Sequence, residues 1–166
     1  MSNIIKLMAS TCWCLGLLPK APGTWGSLFP LAVVLGCGQF GFVYPWLPII
    51  LLCLCAASSL ATISLFPFYS KHFGKNDPPQ VVSDEVAGQS LALLAMAWIV
   101  PETDVSVPVW IGLAAFAFVL FRFFDIVKLG IIERAQSLPH GWGVLMDDIL
   151  AGMVAGGFIL LAIQFI

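Results

Sequence analysis

Charge is what this sequence has least of. Charged residues fill 10% of its 166 positions, whereas a soluble domain commonly carries about a quarter. No basic run interleaved with aromatic residues occurs, and the formal net charge is only −2, which excludes a polyanionic partner such as duplex nucleic acid. A P-loop is missing, which disfavours nucleotide hydrolysis. No Ser/Gly-rich linker, low-complexity tract or internal repeat divides the chain, so a single integral-membrane domain over residues 1–166 is expected. The five cysteines (Cys12, Cys14, Cys37, Cys53 and Cys55) are odd in number, lie in apolar stretches and lack the paired spacing of zinc sites. They read as small apolar residues. Nothing in the sequence points to an obligate protein partner.

What the chain has instead is apolar surface: 60% hydrophobic residues and a mean hydropathy of +1.01. A water-soluble monomer could not hide that much. Apolar stretches run over residues 28–46, 47–68, 86–100, 107–124 and 149–166, and a membrane-spanning helix needs about 20 residues, within a range of roughly 17 to 25. Four stretches qualify. The third is short unless it starts near Val81, which would draw Asp84 and Glu85 inside the bilayer boundary; otherwise it is a re-entrant or packed helix. The expectation is an all-α, polytopic membrane helix bundle of about five membrane helices. An N-terminal interfacial helix precedes them, because Lys6 and the apolar run to Leu18 lack a clear small-x-small cleavage site.

Five crossings place all seven Lys and Arg (Lys6, Lys20, Lys71, Lys75, Arg122, Lys128, Arg134) on or at one face. By the positive-inside rule that face is cytoplasmic. On the last helix, Ala151, Gly152, Ala155 and Gly156 form small-residue ridges that let helix backbones approach in lipid. Gly152 and Gly156 stack below Asp148, which predicts that this carboxylate is held against a neighbouring helix.

Fourteen of the sixteen charged residues fall in three polar islands, residues 1–27, 69–85 and 122–148. In the first, Lys20-Ala21-Pro22-Gly23-Thr24-Trp25-Gly26-Ser27, Pro-Gly predicts a turn, and Thr24 or Ser27 can cap the following helix. Free N–H groups at a helix start make an anion seat into which Lys20 can reach. Capped turns before membrane helices are ordinary, so this island alone carries little. In the second, Asp84 and Glu85 stand where an apolar helix begins; favouring the helix dipole explains one acid better than two. Glu85 and Gln89 share a face, giving a polar stripe at membrane depth.

The third island carries Arg122, Asp125 and Lys128 at three-residue steps on a helix end, a pattern that an intrahelical ion-pair ladder would also produce. Asp147 and Asp148 follow at the start of the next helix. Carboxylates from different helices, without Cys or His ligand spacing, suit a hard cation, and Mg²⁺ takes one or two carboxylates plus water and substrate phosphate. Acids and cations around a divalent ion are what phosphoryl hydrolysis needs. His72 and His140 read as loop or phosphate-contacting residues, and His140, near Asp147, is the stronger candidate.

The wording KAPGTWGS, DPPQVVSDEVAGQ, FRFFDIVK and HGWGVLMDDILAG resembles the phosphatidylglycerophosphatase A family, bacterial membrane enzymes that remove the terminal phosphate of phosphatidylglycerophosphate to give phosphatidylglycerol. The resemblance covers nearly the whole chain. It implies a multi-pass protein of the bacterial cytoplasmic (inner) membrane, Mg²⁺ dependence, an all-helical phosphatase domain and an active site facing the cytoplasm. On that reading Asp84, Glu85, Asp147 and Asp148 hold Mg²⁺. Asp125 is another ligand or the group that handles water, and Asp84, Glu85, Asp125 and Asp148 form the catalytic set. Lys20, Thr24, Ser27, Lys128 and His140 bind substrate. Two positions depart from the family pattern: Leu129 stands where Pro is commoner after the Lys, and His140 stands where Gly is expected before Gly141.

Two other readings compete. A cation or proton transporter would also place acids at membrane depth, but it predicts carboxylates spread across the bilayer and favours inverted repeats. A non-catalytic lipid-binding or assembly subunit leaves so many acids at helix ends unexplained.

Overall fold

The computed structural model describes residues 2–40, 44–99 and 106–165. The described residues are helical and contain no strand. In chain order the helices are α1 (Asn3–Ser10), α2 (Pro22–Gln39), α3 (Trp46–Ser64), α4 (Phe66–Phe73), α5 (Ser83–Ile99), α6 (Val107–Val127), α7 (Ile131–Ala135) and α8 (Gly141–Ile163), with a short 3₁₀ turn at Leu15–Leu17. Three of them, α3, α6 and α8, are long and apolar enough to cross a membrane. The chain is therefore a helical membrane protein. Neither α2, which carries Pro30 internally, nor the 17-residue α5, with Asp84 and Glu85 in its first turn, meets that standard.

The helix boundaries correct several expectations. The 47–68 stretch is two helices, broken at Leu65, which ends α3 and caps α4; Pro67 follows in the first turn of α4, the one place where its missing N–H costs nothing. Helix α5, by contrast, begins at Ser83 with Asp84 and Glu85 in its first turn, as the sequence placed them. Helix α8 starts at Gly141, well before Ile149, so Asp147 and Asp148 stand two turns inside rather than at its start. The expected N-terminal helix is only Asn3–Ser10. All five cysteines are free thiols.

Helix α5 is the central element. On one side it packs in parallel against α8, where a Cβ at Gly152 would strike the Gly88 carbonyl oxygen and one at Gly88 would strike that of Asp148. Only glycine at both positions permits this backbone approach. Further along, Gly156 faces Ala92 and Ala95, and Ala151 and Ala155 are fully buried beside Phe121, as the small-residue ridges predicted. The main apolar core lies at the far end, where Val34, Leu47, Leu51, Leu93, Met96, Leu113 and Ile159 meet. Gly38 there lies against the Trp110 indole, so the end of α2 sits beside the start of α6.

At the opposite end the starts of α2, α5 and α8 meet the ends of α3 and α6. Thr62 on α3 shares a 2.7 Å hydroxyl–hydroxyl hydrogen bond with Ser83 on α5, and the Tyr69 hydroxyl donates to the Thr62 carbonyl at 3.0 Å. The Arg122 guanidinium on α6 donates to Ser27 Oγ on α2 at 3.4 Å. The Val82 N–H donates to the Ser10 carbonyl at 3.1 Å, which ties α1 to the same end. Five helix ends thus carry the polar islands to one place.

Candidate functional site

The site is assembled from α5, α6 and α8. Asp84 and Glu85 on α5 and Asp148 on α8 each present a carboxylate oxygen, and these oxygens all lie within 4.8 Å of one another. Asp84 and Asp148 are buried at 5% and 3% exposure. Glu85 Oε2 is also buried and has no hydrogen-bond partner in the protein. Three like charges this close, with an orphaned acceptor, are costly unless a counter-charge is shared among them. An all-oxygen set of this kind is the donor chemistry of a hard cation such as Mg²⁺, so the residues present fit the expected metal.

Asp147 stands apart from that trio. Its Oδ2 accepts from Lys128 Nζ at 2.6 Å and from Gln136 Nε2 at 3.0 Å, while its Oδ1 is buried without a partner. Alternation along a helix explains the split: adjacent residues diverge by about 100°, so Asp148 turns toward α5 and Asp147 toward α7. The three-step ladder on α6 is likewise only half realised. Arg122 Nη1 and Asp125 Oδ2 are 2.6 Å apart, but Lys128 lies beyond the helix as its left-handed C-cap and reaches across to Asp147. Burial pulls the Lys128 pKa down, but its bond to Asp147 and the charges of Asp147, Asp148 and Asp125 outweigh that and leave it raised.

The first island is placed differently from the sequence reading. Pro22-Gly23 is not a turn but the first turn of α2. The bend comes just before, where Lys20 (φ 63°) and Ala21 (φ 49°) are both left-handed. Ala21 is the N-cap, and no side chain caps the helix; Thr24 lies inside it, half-buried. Ser27 is fully buried, donating to the Gly23 carbonyl at 2.8 Å and accepting from Arg122, so a structural bond occupies the side chain assigned to substrate. Gly23 has a clear function: a Cβ there would collide with Glu85 Oε1 and come within 3.1 Å of Arg122 Nη1. The glycine lets α2 press against the acidic trio. Lys20, in the bend just before α2, is exposed.

His140 is exposed and forms the N-cap of α8 at φ 59°, ψ −143°, backbone space that is essentially glycine's. Its ring packs edge-on against Phe66 with centroids 5.5 Å apart. Gln136 and the Thr62–Ser83–Tyr69 chain were not singled out from sequence. Gln136 gives no pattern signal, since it lies in a loop and reaches Asp147 only through the fold. Asp77, in the loop before α5, keeps part of its surface exposed, yet burial and then the Asp147 charge raise its pKa, with Lys128 opposing and Asp125 adding to the rise.

The described carboxylates of the three islands gather at one end of the bundle instead of spreading along it, against the transporter expectation; Glu102 and Asp104 fall outside the described residues. All seven basic residues belong to that same end: Lys6 lies over the Phe68 ring, Lys20 precedes α2, Lys71 and Lys75 sit on and just after α4, Arg122 and Lys128 pair with Asp125 and Asp147, and Arg134 is on α7.

Residues 8–163 match the sequence model of the family described as phosphatidylglycerophosphatase A. A Bacteroides thetaiotaomicron protein named "Putative phosphatidylinositol-3-phosphatase" is 32% identical over 97% of this chain and 94% of its own length. Two proteins named phosphatidylglycerophosphatase A are also similar. The one from Haemophilus influenzae is 35% identical over 90% of this chain and 83% of its own. The one from Escherichia coli is 30% identical over 87% and 75%. No solved structure matches the chain.

Proposed function

Because the chain belongs to the phosphatidylglycerophosphatase A family, we propose that it is a Mg²⁺-dependent lipid phosphatase that converts phosphatidylglycerophosphate to phosphatidylglycerol at the cytoplasmic face of a bacterial inner membrane. The observation that carries this reading is the convergence of Asp84, Glu85 and Asp148 within 4.8 Å, together with the unpartnered Glu85 Oε2.

Asp84, Glu85 and Asp148 would hold the ion, whose chemistry there is to neutralise phosphate oxygens. The protein's own groups do the rest. Asp125 has one oxygen engaged by Arg122, and its other oxygen orients the attacking water and accepts its proton. Lys128 spends one of its three N–H donors on Asp147, which leaves two for a phosphate oxygen. Lys20, exposed three residues before the Gly23 that packs on Glu85, adds a second cation for the phosphate. Water oxygen bonds to phosphorus, the bond from phosphorus to the head-group glycerol oxygen breaks, and that oxygen takes up a proton from solvent.

Five helices with their polar ends together support five crossings. At 1.5 Å per residue, α5 extends about 25 Å, near the short limit for a span. The seven basic residues at the site end argue for a cytoplasmic site. A lipid could then keep its acyl chains in the bilayer while only its head group enters. The substrate follows the family description and two of the relatives, and the inositol-directed name of the third makes the head group the point to test.

The test is phosphate release by detergent-purified protein from phosphatidylglycerophosphate and from phosphatidylinositol 3-phosphate, with Mg²⁺ or with chelator. Mg²⁺-dependent release from the first is expected. Release from the inositol lipid alone would overturn the substrate, and release undiminished by chelator would overturn the metal.

A further inference from the structure

A cavity of about 300 Å³ opens on the Asp147 side of the site, with polar walls from Asn76, Asp77, Gln136 and His140 and apolar ones from Phe66, Leu138 and Val144. It adjoins the Lys128–Asp147 pair, since Gln136, which lines it, donates to Asp147 at 3.0 Å and Lys128 donates to the same oxygen. Resting on the phosphatase reading above, we propose that this cavity is a head-group subsite for the hydroxyl-bearing glycerol next to the scissile phosphate, and that Asn76 and Asp77 set the head-group preference.

The lining favours a polyol. Two amides, a carboxylate and an imidazole supply both donors and acceptors, which is what a hydroxyl requires. Phe66, with the His140 ring packed on its edge at 5.5 Å, offers an apolar wall for the carbon chain of the glycerol. The cavity's size falls at the small end of ligand pockets, about 300 to 1,000 Å³, which suits a short polyol and not a lipid chain.

The backbone is built to keep the cavity in place. A Cβ at Gly143 would come within 2.7 Å of the Gln136 carbonyl oxygen, so the 136–140 loop lies hard against the first turn of α8. His140 holds its ring there from a main-chain conformation that glycine would adopt more easily. Strain retained at a ligand-facing position is the usual mark of a functional constraint. Asn76 and Asp77 approach from the far side, on the exposed loop between α4 and α5.

The experiment measures equilibrium binding of sn-glycerol 3-phosphate and of inorganic phosphate to the detergent-purified protein with Mg²⁺, for wild type and Asn76→Ala. The exposed loop position keeps the variant folded. We expect glycerol 3-phosphate to bind more tightly than phosphate, and Asn76→Ala to weaken it roughly five- to tenfold, the scale of one lost hydrogen bond, with phosphate binding unchanged. The KM for phosphatidylglycerophosphate should rise by the same factor. Equal affinity for the two ligands, or equal loss of both in the variant, overturns the subsite. Preferential glycerol 3-phosphate binding without turnover would instead sink the phosphatase reading and leave the subsite standing.

Discussion

Asp84 on α5 and Asp148 on α8 bring carboxylate oxygens within 4.8 Å of each other because their helices touch backbone to backbone just below, at Gly88 and Gly152. Packing and chemistry are therefore one feature: whatever separates the two glycines also separates the two acids.

Gly152→Ala places a methyl group against the Gly88 carbonyl, and overpacking of this kind costs about 1–3 kcal/mol. Gly157, on the same helix, has no atom within 4 Å of a built Cβ, so Gly157→Ala should be neutral or slightly stabilising. Thermal unfolding in detergent should show the first variant melting lower and the second unchanged or higher. The first should also lose phosphate release out of proportion to its loss of stability.

Lys128 and Asp147 form a pair in which the carboxylate is 4% exposed and the ammonium 29%. Removing one partner leaves the other charge buried, at a cost of about 3–5 kcal/mol. Lys128→Met should therefore be strongly destabilised, and Lys128→Met with Asp147→Asn should recover much of the loss. A double-mutant cycle on unfolding midpoints checks this; simple additivity would mean that the pair is not coupled.

Asp77 has a pKa raised by burial and by the charges of Asp147 and Asp125. A carboxylate whose folded pKa exceeds its unfolded value, about 3.9, favours the folded state in its protonated form. Its contribution is thus lost as pH rises through the raised value. Asp77→Asn should be more stable than wild type at neutral pH, with the gap closing below the ordinary carboxylate range. Melting temperatures across pH measure it.

His140 occupies backbone space that costs a non-glycine residue about 1–3 kcal/mol. His140→Gly should raise the melting temperature while weakening substrate binding. A variant less stable than wild type would show that the ring contact with Phe66 outweighs the strain.

The sequence revealed the chemistry more fully than its geometry. Clustered acids in an apolar chain pointed to Asp84, Glu85 and Asp148 because burying charge is too expensive to be incidental, and the Gly152 ridge could be read from helical period alone. Asp147 lies outside the trio for a reason of phase: α8 begins at Gly141, earlier than hydropathy shows, and adjacent residues on a helix diverge by about 100°, which turns the neighbouring acids to different partners. Ser27 was misplaced because a hydroxyl beside a helix start reads as a cap, whereas the left-handed Lys20-Ala21 bend moves the start to Pro22. Gln136 and Asn76 were invisible, since loop residues acquire meaning only from what the fold lays beside them.

The most direct measurement is the Mg²⁺ dependence of phosphate release from phosphatidylglycerophosphate by wild type and Asp148→Asn, each shown to be folded. Loss of a direct ligand should exceed the roughly 10- to 100-fold typical of groups that only support ligands. The account predicts a fall of more than about a hundredfold, partly recovered at high Mg²⁺. Wild-type rates in Asp148→Asn, with an unchanged Mg²⁺ requirement, would contradict it.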